Sequence, residues 1–251
     1  MANVTQGVNG PPSGKVGAVV FCKWKEINYV RSLPRVNKKR ALSEKEVNNR
    51  NKFGLMQQFL SPYTRVIRLG FSLYAKNMTA FNAAMSYNLH HVMQQDDEGF
   101  HIDYEKIAIS RGLDEEITGA TFQLLNETIH ITWELKNTEK LLYEDLTDFR
   151  TLVLLIPENP INASQGVLLQ NYIMDLRESI QIPKLTQSDT YHLYLGFVAA
   201  DGTNRSMNSS YLGNINLERG LSSFREFINR RNKIIQKQTH NTLNHNKITT
   251  F

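Results

Sequence analysis

The sequence predicts an α+β chain. An N-terminal β-hairpin and a three-helix unit come first, then a seven-stranded antiparallel β-sandwich of the immunoglobulin or fibronectin type III kind, and last a C-terminal amphipathic helix. Three observations carry this reading. Helix-start signals cluster between Ser43 and Thr79; short strand-like runs separated by turn residues fill Gly119 to Ile215; apolar residues at helical spacing return after Glu218. With 251 residues and 41% hydrophobic content the chain can fill real cores. The reading divides it into a flexible arm (1–12), a hairpin and helical domain (13–112), a sandwich domain (113–217) and a basic helix with a disordered tail (218–251).

Met1 to Pro12 is polar and rich in Gly, Pro and Asn, which suits an extended or mobile arm. Val16 to Cys22 and Tyr29 to Arg31 then read as two strands joined by a turn near Glu26 to Asn28. A lone hairpin is marginally stable and needs something to pack on. Ser43-Glu44-Lys45-Glu46 is a capping box, so a helix is expected from Glu44 to Leu60. Ser61-Pro62 opens a second, expected to run to about Lys76, because proline at the first helical position gives up an N–H that has no partner there anyway. Thr79 caps a third, whose Phe81, Ala84, Met85, Asn88, Leu89 and Val92 make a one-sided stripe. The acidic turn Gln94 to Gly99 ends the helical part, and Phe100 to Tyr104 and Ile107 to Ile109 read as short linker strands.

Seven strands are expected next: Gly119 to Leu125, Thr128 to Leu135, Phe149 to Ile156, Val167 to Met174, Ser179 to Ile182, Tyr191 to Ala199 and Ser209 to Ile215. Trp133 lies on the second, and Asn137 to Thr147 is read as a turn. After Glu218, Leu221, Phe224, Phe227, Ile228, Ile234 and Ile235 follow helical spacing, while Arg219, Arg225, Arg230, Arg231, Lys233 and Lys237 cover the rest.

The net charge of +5 hides a pattern. Residues 1–95 carry 14 basic and 3 acidic side chains, a net of +11; residues 96–190 carry 7 and 18, a net of −11; residues 191–251 carry 8 and 3, a net of +5. Either the oppositely charged parts face each other, within one molecule or between copies, or the basic parts bind polyanions. A single cysteine, Cys22, excludes an internal disulfide framework and a cysteine-rich zinc site, and points to a reducing compartment. No stretch approaches the roughly 18 apolar residues of a membrane span, and no basic leader with a cleavage site opens the chain. The expected location is the cytoplasm or an intracellularly assembled particle.

The N-terminal third carries a longer pattern. Gly14-Lys15-Val16-Gly17-Ala18-Val19-Val20, Lys23-Trp24-Lys25 and Ile27-Asn28-Tyr29-Val30-Arg31-Ser32-Leu33-Pro34 are followed by Phe59-Leu60, Gly70-Phe71, the string Met78 to Leu89, Asp103-Tyr104 and Ile109-Ser110-Arg111-Gly112. This series resembles the signature of the bacterial family called "domain of unknown function 6266", well over residues 7–112 and more loosely through Thr132-Trp133, Asp201-Gly202 and Tyr211-Leu212-Gly213. The resemblance implies no catalytic residue and no cofactor.

No motif supplies chemistry. Around Ser13-Gly14-Lys15, Val16 stands where a phosphate loop holds Ser or Thr, and Asn9 where it holds its first glycine. Cys22 lies in an apolar strand without a local histidine and reads as a buried structural thiol. His90 and His91 are about 100° apart on a helix, so they do not aim at one metal as i, i+4 partners do; a site shared with His101 and Asp103 is the sharper alternative to plain helix-end histidines. No catalytic, cofactor or metal residue is therefore assigned.

The candidates for contact with a partner or a polyanion are basic and aromatic: Lys23, Trp24, Lys25, Tyr29, Arg31, Arg35, Lys38, Lys39 and Arg40, and on the last helix Phe224, Ile228, Arg230 and Arg231. The function expected is that of a non-enzymatic structural or interaction protein, a subunit of an oligomer or larger assembly that contacts partners through its arm, hairpin and last helix. The alternative is a nucleic-acid-binding accessory protein using the same basic segments.

Overall fold

The computed structural model describes residues 2–4, 10–24, 27–33, 41–75, 78–96, 99–114 and 116–218. The basic helix and tail expected after Glu218 lie outside these residues, as does the rest of the chain not included in them. The fold is a mixed α and β one, with mostly antiparallel sheets and few helices. By its contacts the chain divides into Met1–Val47 and Asn48–Phe251, whereas the sequence reading places boundaries after residues 12, 112 and 217.

The first unit is a four-stranded antiparallel meander of β1 (Ala2–Val4), β2 (Pro12–Val16), β3 (Val19–Trp24) and β4 (Ile27–Ser32), in that order. The expected single strand from Val16 to Cys22 is broken. Gly17 adopts φ +55 and Gly17-Ala18 form a two-residue turn that pairs Val16 with Val19, the glycine-first arrangement of a type II′ hairpin. The predicted hairpin is thus the β3–β4 half of a larger sheet, and Ala2–Val4, read as arm, is its edge strand.

Helix α1 (Glu44–Leu60) follows the predicted span, and its capping box forms in both directions. The Glu46 amide donates to Ser43 Oγ at 3.4 Å, while the Ser43 amide donates to Glu46 Oε2 at 2.9 Å. The expected second helix is shorter: a single 3-10 turn at Ser61–Tyr63, then α2 (Thr64–Gly70), then another 3-10 turn at Ser72–Tyr74. Helix α3 (Ala80–His91) starts at Thr79, whose Oγ1 accepts from the Asn82 amide at 3.1 Å. Of the predicted stripe, Ala84, Met85 and Asn88 on the helix and Val92 just after it are buried.

A short hairpin, β5 (Met93–Asp96) and β6 (Gly99–Ile102), leads into a segment that is not the second linker strand expected. Ile107, Ala108 and Ile109 are buried, and their backbone is held by side chains instead of by a ladder. The Asn88 amide group donates to Ala84 O and Ala108 O and accepts from the Ala108 N–H, all within 3.1 Å. Ser209 Oγ accepts from the Ile109 and Ser110 amides, and Ser110 Oγ donates to Met207 O. Polar side chains have replaced sheet pairing as partners for these buried peptide groups.

All seven later runs are strands: β7 (Ile117–Leu125), β8 (Thr128–Leu135), β9 (Phe149–Pro157), β10 (Gln165–Tyr172), β11 (Arg177–Gln181), β12 (Asp189–Ala199) and β13 (Ser210–Leu217). One additional element, α4 (Thr138–Tyr143), stands where the sequence predicts a turn, capped by Asn137 Oδ1 on the Lys140 amide at 2.9 Å. Six residues are too few to show a helical period. The strands form two sheets, β10-β9-β12-β13 and β11-β8-β7, every pair antiparallel.

Strands β9 and β12 are buried on both faces. Val153, Leu155, Leu193, Leu195 and Phe197 meet Ile129, Ile131 and Trp133 of the other sheet, and Trp133 Nε1 donates to Ile173 O at 2.9 Å. Leu152, Leu154, Ile156, Tyr194 and Val198 meet Met56 and Leu60 of α1, Val66 and Ile67 of α2 and Ala84 and Met85 of α3. The aliphatic run Leu152 to Ile156 is the sequence trace of that double burial, because a strand covered on both sides has no polar alternation to keep.

Candidate interaction surface

Strand register sets which side chains of the first unit share a face. Lys15 pairs with Val20, Val20 with Arg31, Cys22 with Tyr29 and Trp24 with Ile27, which puts these seven side chains on one side of the sheet. Val16, Val19, Phe21, Val30 and Lys23 belong to the other side. An alternating pattern ordinarily buries one of two such faces. Here neither is buried: among the described residues from Gly10 to Leu33 none is classed as buried, and Ile27, Val30 and Val16 stand 61%, 56% and 51% exposed.

Of the predicted contact residues, Trp24, Tyr29 and Arg31 therefore come together on one face, with Lys15 beside them, and Lys23 lies on the opposite face. Lys25, Arg35, Lys38, Lys39, Arg40, Phe224, Ile228, Arg230 and Arg231 lie outside the described residues. Cys22, read as a buried thiol, is half-buried, with Sγ 4.0 Å from Val20 O. Sequence reasoning overlooked the apolar members Val16, Val19, Ile27 and Val30. Their alternation is the ordinary signature of a core face, and nothing local distinguishes a covered face from an open one.

The histidines fall into separate places. His90 and His91 each donate Nδ1–H back along α3, to Ser86 O at 2.6 Å and Tyr87 O at 2.8 Å. His101 lies against Asp96 and Gln94, and Asp103 against Lys106, Gln94 and the Glu105 amide. Among the described residues no three His, Cys, Asp or Glu side chains approach closely enough to hold a metal ion.

His192 is the centre of a polar chain. Its Nε2 lies 3.0 Å from Glu158 Oε1 and its Nδ1 2.9 Å from the Tyr211 hydroxyl, and the ring stacks on Tyr104 at 4.1 Å. The carboxylate accepts only, so Nε2 carries a proton; in the neutral ring Nδ1 is then the acceptor of the Tyr211 hydroxyl. Burial, above all, pushes the Tyr211 phenol up, with Glu105 and Glu158 adding to it. A phenol held in its neutral form is a poor nucleophile, and the chain ties β12 and β13 to the residue following β9.

Among the described residues no helix is long and apolar enough to cross a membrane. No curated protein matches the chain. A family model described only as a family of unknown function matches residues 10–213, which takes in β2 to β4 of the first sheet, the helices and six of the seven later strands together with the start of β13. With most of its length matched, this chain belongs to the family of unknown function DUF6266.

Proposed function

We propose that this protein is a non-enzymatic structural or interaction subunit that joins neighbouring copies or partner proteins through its N-terminal sheet. One observation carries the reading: in the four-stranded sheet no described side chain from Gly10 to Leu33 is buried, and Trp24, Ile27, Tyr29, Val16 and Val30 are exposed. Exposed apolar area of this kind marks contact surfaces, and a sheet without a core gains its stability on docking. The charge blocks of +11 and −11 supply a complementary surface for a second copy. The facing sheets β11-β8-β7 and β10-β9-β12-β13, with Trp133 between them, favour a sandwich of the immunoglobulin or fibronectin type III kind, a scaffold common in interaction proteins.

The test is the mass of the full chain by light scattering, over a wide range of protein concentration and at low and high salt. Assembly gives masses above the 28.9 kDa of one chain, which fall as salt screens the charge blocks and fall again in Trp24→Ser with Val30→Ser. A salt-independent monomer across the whole range removes the reading.

A second reading rests on the company of Lys15 and Arg31 with Trp24 and Tyr29 on one face. Cations beside aromatic rings suit phosphate contact with base stacking. It predicts single- or double-stranded probes that shift at low salt, with a salt slope reduced by about one in Arg31→Ala. Absence of any shift at low salt excludes it.

A further inference from the structure

A groove of about 540 Å³ opens on the second unit between α3 and Phe71, Leu73, Tyr74, Met78 and Arg111. That is the size of a small-molecule site. One wall is apolar, with Leu73, Tyr74 and Met78 exposed along it. The other holds His90, His91 and Arg111, and no carboxylate stands among the lining residues.

Arg111 is the organising residue. Its guanidinium lies 4.2 Å from the centroid of the Tyr87 ring, and the His91 ring is stacked 4.1 Å from that same centroid. Two groups so close cannot share a face, so Tyr87 holds one on each side. No carboxylate of the described residues pairs with Arg111, which leaves its donors to a ligand. The backbone beneath is fixed: the Arg111 amide donates to Gly70 O at 3.0 Å and its carbonyl accepts from Ser206 Oγ at 2.6 Å. With Nδ1–H of both histidines committed to carbonyls of α3, Nε2 is the nitrogen each ring keeps for a ligand.

We propose that this groove binds a planar aromatic oxyanion, a ring carrying a carboxylate or phosphate. The ring packs along Leu73, Tyr74 and Met78, and the anion accepts from Arg111; a histidine Nε2 adds a donor only in the imidazolium form, because Nδ1 carries the proton of the neutral ring. A guanidinium that is already positioned and unpaired loses little freedom on meeting an anion, so the charged end decides the affinity.

The experiment titrates the full chain with 2-naphthoate and 2-naphthyl phosphate, and with neutral 2-naphthalenemethanol, following binding by calorimetry or ligand-observed NMR. At least one of the two anions binds saturably, and the alcohol binds about ten-fold or more weakly, as loss of a charge-assisted hydrogen bond requires. Arg111→Gln and Tyr74→Ala each weaken the anion, while Arg68→Gln, on a different groove, leaves it unchanged. Failure of both anions to saturate, equal binding of the alcohol, or undiminished binding by Arg111→Gln overturns the proposal. The comparison of alcohol with anion needs no variant, so it stands even if Arg111→Gln does not fold.

Discussion

Gly70 ends α2 at a point where the backbone of another segment passes directly over it. A Cβ built there would sit 2.1 Å from Ile109 O and 2.7 Å from Ser110 Cβ, and the oxygen belongs to a buried peptide that Asn88 and Ser209 help to fix on either side. Gly54, inside α1, would meet nothing within 4 Å. One substitution therefore has opposite signs at the two sites. Gly54→Ala should raise stability by about 0.5–1 kcal/mol through helix propensity. Gly70→Ala should lower it by about 1–3 kcal/mol, because overpacking against main chain outweighs that gain. Urea unfolding of the two variants checks this, and a stabilised Gly70→Ala would contradict the packing described. Neither glycine is distinguishable from the sequence, since the atoms that decide the matter lie some forty residues away.

Among the elements, those with their own start signals were legible. Ser43 and Glu46 announce α1 and Thr79 announces α3, because a cap satisfies orphan amides within one turn and needs no distant partner. Thr79→Ala should cost about 1 kcal/mol, and Thr79→Ser should recover most of it, read as a shift in the urea midpoint at constant slope. Equal stability of all three proteins would mean that the cap does not contribute. The end of α2 was less legible: the Gly70 carbonyl accepts from the Arg111 amide instead of from a residue one turn on, and the helix stops there although the apolar pattern continues through Phe71 and Leu73. Ile107 to Ile109 read as a strand because the run is apolar. Its peptide groups are taken by Asn88 and Ser209 instead, a substitution that only proximity in space reveals.

Over the second unit as a whole, burial of tyrosine sets the response to alkali. Burial pushes Tyr191 up to about 12, with Asp189 adding to it, and raises Tyr63 and Tyr194 further; Tyr104 and Tyr211 also move up, each chiefly through burial. A phenol raised in the folded state stabilises the fold fully below its unfolded value near 10, and that contribution is lost as pH climbs through the folded values. Of ten tyrosines, these five should ionise only together with loss of the far-UV circular dichroism signal. Full phenolate absorbance with unchanged dichroism would refute it. At the acid end Asp201 is held down to about 2, first by the Thr203 hydroxyl and amide and then by Arg205, and Asp103 is lowered chiefly by its hydrogen bond from Lys106. Their contribution is present above the ordinary carboxylate value near 3.8 and disappears as pH falls through the folded values, so Asp201→Asn should blunt the acid transition.

Local chemistry alone determined the capped helices, the seven later strands and the two-residue turn at Asn126-Glu127, where both residues take positive φ between paired Leu125 and Thr128. The family followed from the motif string. Tertiary structure alone decided that β9 and β12 are covered on both faces and that Arg111 lies over Tyr87 with no carboxylate partner among the described residues. It also decided that, among the described residues from Gly10 to Leu33, neither face of the first sheet has a buried residue, although their alternation looks like that of a strand over a core. Caps and alternation are satisfied within a few residues of chain, and so are written in the sequence. Whether a face is covered, or a charge is paired, depends on groups brought together from distant positions, and no local pattern carries that information.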